Sequence, residues 1–349
     1  MSPSDPTESP VEPDGNPYAT PAAETVFDSV DQPAALEAIP VAQAVGGIRP
    51  RVWTALAVPA MALVLCVFVS TVMIFVAMVL VLGESDPRAL AKPATLVSIM
   101  ESRLGFCLVV IPPQLMLLIS SVLAAQFSPV EIRQRLSLVR GNWPVWTWLA
   151  VAAAAPLVGL VSSLILGQFM IESDSLKMMS DVFRDHCDSG FLLPLALIIG
   201  VTPAVCEELL FRGYVQTRLI RSFNPVIGVT IASVMFAAFH MDFVHSVAVL
   251  PLGFFLGFVV ARSGSLFPAM LAHFVNNAIS VVGVAFAPTG ETDVLALPAV
   301  MISLSILGAG MIGGALVVFA AIYYRPQTSV AIGGTNADAA HFSLPAENA

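Results

Sequence analysis

Three short motifs place polar and ionisable side chains in or beside strongly apolar stretches of the sequence. They are EELLFRG at 207–213, FAAFH at 236–240 and HFVNN at 273–277. Charged groups are costly in a bilayer, so they are rare there and usually face a protein interior or a water-filled cavity. Two carboxylates, an arginine, two imidazoles and amides within about seventy residues could build a hydrolytic site inside a membrane.

The first motif contains two adjacent glutamates that must point in different directions. Neighbouring helical side chains diverge by about 100°, so Glu207 and Glu208 cannot share one face. Glu208 and Arg212 are four residues apart and lie on one face, which predicts an ion pair between them. Glu207 is then free to face a cavity and take a proton from water as a general base. A charge cluster at a helix end, with the arginine snorkelling to the interface, is the structural alternative.

The second and third motifs contribute imidazole and amide groups. His240 lies four residues after Phe236, and His273 lies four residues before Asn277, so each pair shares a helical face. Imidazole can hold a water molecule or a metal ion, and an amide N–H can stabilise an oxyanion. Each residue alone is more typical of hydrogen-bonded packing between membrane helices. Together with Glu207 they supply the parts of a water-activating site.

Three polar neighbours of these motifs are expected to have other positions. His245 is expected near the following loop, where it would face the outer surface. Asp242 could cap a helix or orient either His240 or His245. Asn276 is expected on a different helical face from the pair formed by His273 and Asn277.

Common hydrolase signatures do not occur in the sequence. It contains no HExxH motif of the zincin proteases, no GxSxG serine elbow and no aspartate pair within an apolar run. His240 and His273 alone would make a weak zinc site. Glu207 could complete that ligand set, so a divalent metal such as zinc is a candidate cofactor.

The composition indicates the class of protein that surrounds these motifs. Of 349 residues, 57% are hydrophobic and only 11% are charged, whereas a soluble domain carries about 25% charged residues. The chain is therefore expected to be an integral membrane protein. Residues 1–50 contain eight acidic residues and one basic residue, which predicts a disordered acidic tail and argues against nucleic acid as a partner. Residues 51–325 would form the transmembrane domain, and 326–349 a flexible tail.

Apolar runs of about 20 residues predict an all-α, polytopic helical bundle with about eight spans around a polar intramembrane site. The predicted spans are 53–82, 104–127, 144–169, 191–210, 226–243, 246–261, 265–287 and 295–323. In this prediction the glutamate pair ends the fourth span, and 246–261 is short. Ten of the fifteen Lys and Arg residues fall on one side, which predicts that both termini are cytoplasmic.

The order EExxxR, FxxxH and HxxxN on successive spans resembles the CPBP family of intramembrane proteases, which contains the CAAX prenyl endopeptidases and the bacteriocin-processing and immunity proteins. The resemblance covers about residues 190–290. It implies that Glu207 activates water, that His240 assists as a ligand or hydrogen-bond partner, and that His273 and Asn277 bind the water or stabilise the oxyanion. It also implies that Glu208 and Arg212 support the site.

These expectations lead to one main functional hypothesis and two alternatives. The main one is an endopeptidase in a bacterial plasma membrane that cleaves a membrane-embedded or lipid-anchored protein, with CAAX-type processing as one form. A non-enzymatic scaffold of the immunity type is the first alternative. A proton-coupled transporter is the second, although such proteins usually carry polar groups in both halves of the chain, whereas here only the spans of the second half are polar.

Overall fold

Helices make up the secondary structure of the residues that the structure describes, and most of the long ones are apolar, as predicted. A computed structural model describes residues 51–287 and 297–324, and these ranges contain helices but no strand. The all-α, polytopic fold is therefore confirmed. The predicted tails at 1–50 and 326–349 lie outside the described residues.

Twelve α-helices follow one another in the described ranges. They are α1 (Thr54–Ala77), α2 (Pro93–Glu101), α3 (Arg103–Gln126), α4 (Ile132–Arg135), α5 (Val145–Leu166), α6 (Asp174–His186), α7 (Leu192–Glu208), α8 (Thr217–Ser222), α9 (Pro225–Ala238), α10 (Phe243–Ser263), α11 (Phe267–Ala285) and α12 (Leu297–Tyr323). The π-helical segments Met78–Leu82, Cys187–Phe191 and Leu209–Gln216 continue α1, α6 and α7, and Pro87–Ala91 forms a 3₁₀ turn.

Seven helical segments within the described ranges are long and apolar enough to cross a membrane. The apolar helix α9 is too short to be one of them. Its 14 residues extend about 21 Å, whereas the hydrocarbon core of a bilayer is roughly 30 Å thick. The prediction had the two lengths reversed: 226–243 was taken as a full span and 246–261 as the short one. Asp242 explains the boundary, since its Oδ1 accepts the His245 backbone N–H at 2.9 Å and caps the start of α10.

The glutamate pair does not end its helix, which corrects the predicted boundary at residue 210. After Glu208 the helix continues through the π-helical segment Leu209–Gln216 into α8 and ends at Ser222. Every residue of that segment is buried. Its polar side chains stay inside the bundle because Arg212 Nη2 donates to the Gly253 carbonyl and Gln216 Nε2 donates to the Gly257 carbonyl, both in α10.

Close contacts between helices hold the segments that carry the three motifs. A methyl group placed on Gly257 would lie 2.8 Å from Gln216 Oε1, so α10 approaches the π-helical segment too closely for a larger residue without rearrangement. Gly200 of α7 likewise meets the Phe274 ring of α11, with 2.7 Å to the nearest ring carbon from a built methyl. The second contact holds α7, which ends with the glutamate pair, close against α11, which carries the third motif.

Candidate active site

Glu208 is the centre of a buried polar cluster that joins α7 and α11. Its Oε1 accepts a hydrogen bond from Arg212 Nη1 at 2.6 Å and another from His273 Nδ1 at 2.9 Å. Glu208 and Arg212 are fully buried, and His273 is 3% exposed. The ion pair predicted from the four-residue spacing is thus present, and it also fixes the orientation of the imidazole.

Arg212 is held by more than its carboxylate partner. Its Nη2 donates to the Gly253 carbonyl at 3.1 Å, and its guanidinium carbon lies 4.2 Å from the centre of the Phe236 ring. A buried charge is tolerated only when it is paired and hydrogen-bonded. The alternative of an arginine snorkelling from a helix end is therefore wrong for this side chain.

Glu207 points away from Glu208, as its position on the helix requires. Its Oε1 accepts a hydrogen bond from Gln114 Nε2 of α3 at 3.0 Å, and its Oε2 lies 3.9 Å from His273 Nε2. The imidazole therefore stands between the two carboxylates, with Nδ1 bonded to Glu208 and Nε2 turned toward Glu207. The second separation is too long for a direct hydrogen bond.

His240 lies in the turn between α9 and α10 and faces the same region. Its Nδ1 is 3.2 Å from the Phe236 carbonyl, to which it donates, and its ring meets the Phe236 ring edge to face at 5.3 Å. The Phe236 ring also contacts the His273 ring at 5.9 Å. The Phe236 ring therefore contacts both imidazoles, that of His240 and that of His273.

His245 contradicts the expectation that it faces the outer surface. Its ring packs against His240 with the ring centres 4.3 Å apart, and it lines the same cavity as the motif residues. The reason is the Asp242 cap, which starts α10 three residues earlier and turns the first helical turn inward. Hydrogen bonds from the His245 N–H and the Ser175 hydroxyl lower the pKa of Asp242 to about 2, so the cap stays a carboxylate at neutral pH.

The asparagines of the third motif both reach the site. Asn277 Nδ2 donates to the Ile199 carbonyl of α7 at 3.2 Å, and Asn277 Oδ1 accepts from Asn276 Nδ2 at 3.1 Å. Asn276 was expected on another face, yet it also lines the cavity and is 9% exposed. The pair links α11 to α7 and leaves one amide N–H of each side chain for other partners.

One cavity connects these side chains. It has a volume of about 820 Å³ and is lined by residues of all three motifs together with apolar side chains. Its polar lining includes Gln114, Glu207, His240, His245, His273, Asn276 and Asn277. Glu208 and Arg212 lie behind this wall rather than in it.

The candidate metal ligands Glu207, His240 and His273 do not form a metal-ligand set in this arrangement. Among the described residues, no group of three or more His, Cys, Asp or Glu side chains is placed to hold a metal ion. His273 Nδ1 is bonded to Glu208, and His240 Nδ1 is bonded to a backbone carbonyl. A divalent metal such as zinc stays a candidate cofactor, which a chelation experiment can test.

The site lies in a segment with recognisable relatives. Residues 189–279 match the family model described as type II CAAX prenyl endopeptidase Rce1-like. The matched range contains all three motifs, and the resemblance to the CPBP proteases that the motifs indicated is confirmed there.

Two proteins of Bacillus subtilis (strain 168) are also similar to this chain. "Uncharacterized protein YpbD" is 24% identical over 172 residues, which cover 48% of the chain and 83% of that protein. "Putative membrane peptidase YdiL" is 26% identical over 112 residues, which cover 32% of the chain and 43% of that protein. No solved structure is significantly similar to the chain.

Sequence reasoning missed three residues of this candidate site: Gln114, His245 and Asn276. Gln114 follows Pro112-Pro113 and is a rare uncharged polar residue in an otherwise apolar span, which was the available signal. His245 and Asn276 each lay beside a motif residue and were assigned to other faces. Their true positions depend on helix ends and packing that spacing alone does not reveal.

Proposed function

We propose that the protein is an intramembrane endopeptidase that hydrolyses a peptide bond with water activated by Glu207. The observation that carries the proposal is the position of His273 between two carboxylates, with Nδ1 at 2.9 Å from Glu208 Oε1 and Nε2 at 3.9 Å from Glu207 Oε2. Glu207 and His273, whose Oε2 and Nε2 atoms are 3.9 Å apart, both line the cavity.

The hydrogen bond to Glu208 determines what the other nitrogen of His273 can do. A carboxylate only accepts hydrogen bonds, so Nδ1 carries the proton, and in a neutral ring Nε2 then carries a lone pair. A water molecule that makes hydrogen bonds of about 2.8 Å can bridge two acceptors 3.9 Å apart. Such a water would donate to both Glu207 Oε2 and His273 Nε2 and turn its own lone pairs toward a substrate.

Hydrolysis then follows from these positions. Glu207 takes one proton from the water as its oxygen adds to the scissile carbonyl carbon and forms a tetrahedral oxyanion. The C–N bond breaks, and the proton held by Glu207 passes to the leaving nitrogen, which gives a carboxylic acid and an amine. Asn277 retains one amide N–H that can stabilise the oxyanion. Glu208 and Arg212 hold His273 in place and touch no reacting atom.

The cavity favours a substrate that is itself in the membrane. Its walls are apolar helices, so a membrane-embedded segment or a lipid-anchored C-terminus can enter without crossing water. Prenylated CAAX-type C-termini are one such class. We propose a bacterial plasma membrane as its location, in line with the two Bacillus subtilis relatives. The distribution of its arginines supports cytoplasmic termini.

The deciding experiment compares membranes from cells that make wild-type protein or Glu207→Gln at equal levels. Glutamine keeps the size and the Gln114 contact but cannot accept a proton, so cleavage should fall at least about 10³-fold. Quantitative proteomics of membranes and released peptides would measure it. A fragment that appears only with wild type supports the proposal and identifies the substrate. Equal fragments from both proteins would contradict the role of Glu207, and no fragment from either would favour the scaffold or transporter.

A further inference from the structure

His245 is a cavity residue that the three motifs do not include. Its ring is half-buried, lies against the His240 ring at 4.3 Å and faces the cavity that contains Glu207. Its backbone N–H is bonded to Asp242, whose other carboxylate oxygen accepts from the Ser175 hydroxyl of α6. The first turn of α10 is therefore anchored, and the imidazole has a defined position.

The three cavity imidazoles differ in whether their N–H groups are available. A neutral imidazole has one N–H and one lone pair. The N–H of His273 is directed to Glu208, and that of His240 to the Phe236 carbonyl. Within the part of the chain that the structure describes, the ring nitrogens of His245 make no hydrogen bond.

This difference matters because hydrolysis needs donors as well as acceptors. With their N–H groups committed, neutral His240 and His273 present lone pairs to the cavity, which suits them to accept from water or from an amine. The developing oxyanion needs an N–H or O–H donor. His245 is the cavity imidazole that still has one.

We propose that His245 is a further catalytic residue, which donates its ring N–H to the carbonyl oxygen of the scissile peptide and to the oxyanion that forms there. The inference rests on the endopeptidase function proposed above. His245 forms no covalent bond and transfers no proton. Its one hydrogen bond to the substrate oxygen strengthens as negative charge develops there, in addition to the amide N–H that Asn277 can supply.

The test uses full-length protein in detergent or liposomes and two variants of similar size. The probes are an internally quenched peptide that carries an S-farnesyl cysteine near its C-terminus and the same peptide without the lipid. His245→Leu removes the donor and should lower kcat about 10²- to 10³-fold with little change in KM. His245→Gln keeps an N–H donor and should recover at least about tenfold of that loss. Ser175→Ala is the control for the anchor, since it removes one hydrogen bond to Asp242 but keeps the His245 ring and the Asp242 cap on its backbone N–H. Its kcat should stay close to that of wild type.

The outcomes separate this inference from the function on which it rests. The role of His245 would be overturned if His245→Leu had the kcat of wild type, or if His245→Leu and His245→Gln lost the same activity. The endopeptidase function would still be supported in that case if wild type cleaves and Glu207→Gln does not. An increase in KM alone would assign His245 to substrate binding and also contradict the proposal.

Discussion

Two polar clusters lie in and behind the cavity wall, and they are built in opposite ways. The inner cluster consists of Glu208, Arg212 and His273, which are almost completely buried and bonded to one another. The outer cluster consists of His240, Asp242 and His245, which are half-buried and bonded mainly to backbone groups and the Ser175 hydroxyl. A charge in an apolar bundle must be paired to be tolerated, so the inner cluster serves the fold and the site together. The outer cluster keeps hydrogen-bonding capacity for a ligand.

Glu207 stands between the two clusters and belongs fully to neither. Glu207 is adjacent to Glu208 in the chain, but the residue is 9% exposed and lines the cavity. One oxygen is fixed by Gln114, and the other is 3.9 Å from His273 Nε2. A group that is oriented on one side and open on the other is suited to accept a proton from water.

The largest effect on activity is expected from a pair of histidine variants that contrasts the clusters. His273→Ala removes the lone pair that would hold the water, so kcat should fall about 10³-fold or more, whereas His240→Ala should cost about 10- to 10²-fold. Steady-state cleavage of the substrate found in the membrane comparison measures both. Equal losses of kcat in the two variants would contradict the different roles that we assign to the inner and the outer cluster.

Glu208→Ala should act first on stability. It leaves Arg212 buried without its counter-ion, which typically costs about 3–5 kcal/mol, and it releases the His273 ring. Thermal unfolding in detergent, followed by tryptophan fluorescence, tests this expectation, with Glu207→Gln as the matched control of unchanged stability. A Glu208→Ala protein with wild-type Tm and no activity would mean that the roles of the two glutamates are reversed.

A smaller effect is expected from Gln114→Leu, which removes the hydrogen bond to Glu207 but preserves the volume. Losing one hydrogen bond to a charged group costs about 1.5 kcal/mol, which corresponds to roughly tenfold in rate. The kcat of this variant should fall by that factor with an unchanged Tm. Wild-type kcat would show that Glu207 needs no orientation from α3.

Chelation is expected to have the smallest effect. Because the donors do not form a three-ligand group in the described residues, EDTA or 1,10-phenanthroline should change the rate by less than about twofold. The control is readdition of zinc to the treated enzyme. Loss of activity that zinc restores would show that Glu207, His240 and His273 come together around an ion during the reaction.

Local spacing predicted the parts of the site that depend on a single helix. The four-residue interval predicted the contact between Glu208 and Arg212, and the divergence of adjacent side chains predicted that Glu207 faces elsewhere. It did not predict the depth of these groups. The helix that continues from Glu208 to Ser222 and the short helix α9 together bring Glu207 and His240 to one cavity.

The sequence by itself determined that this is a helical membrane protein and which motif residues could carry chemistry, because apolar composition and helical periodicity are local properties. Only the tertiary structure decided where helices end, which of two neighbouring helices is shorter than a span, and that Gln114, His245 and Asn276 join the site. The reason is physical: a polar helical segment inside a bundle persists only if other helices satisfy its hydrogen bonds. For Arg212 and Gln216 those partners are the carbonyls of Gly253 and Gly257, some forty residues further along the chain.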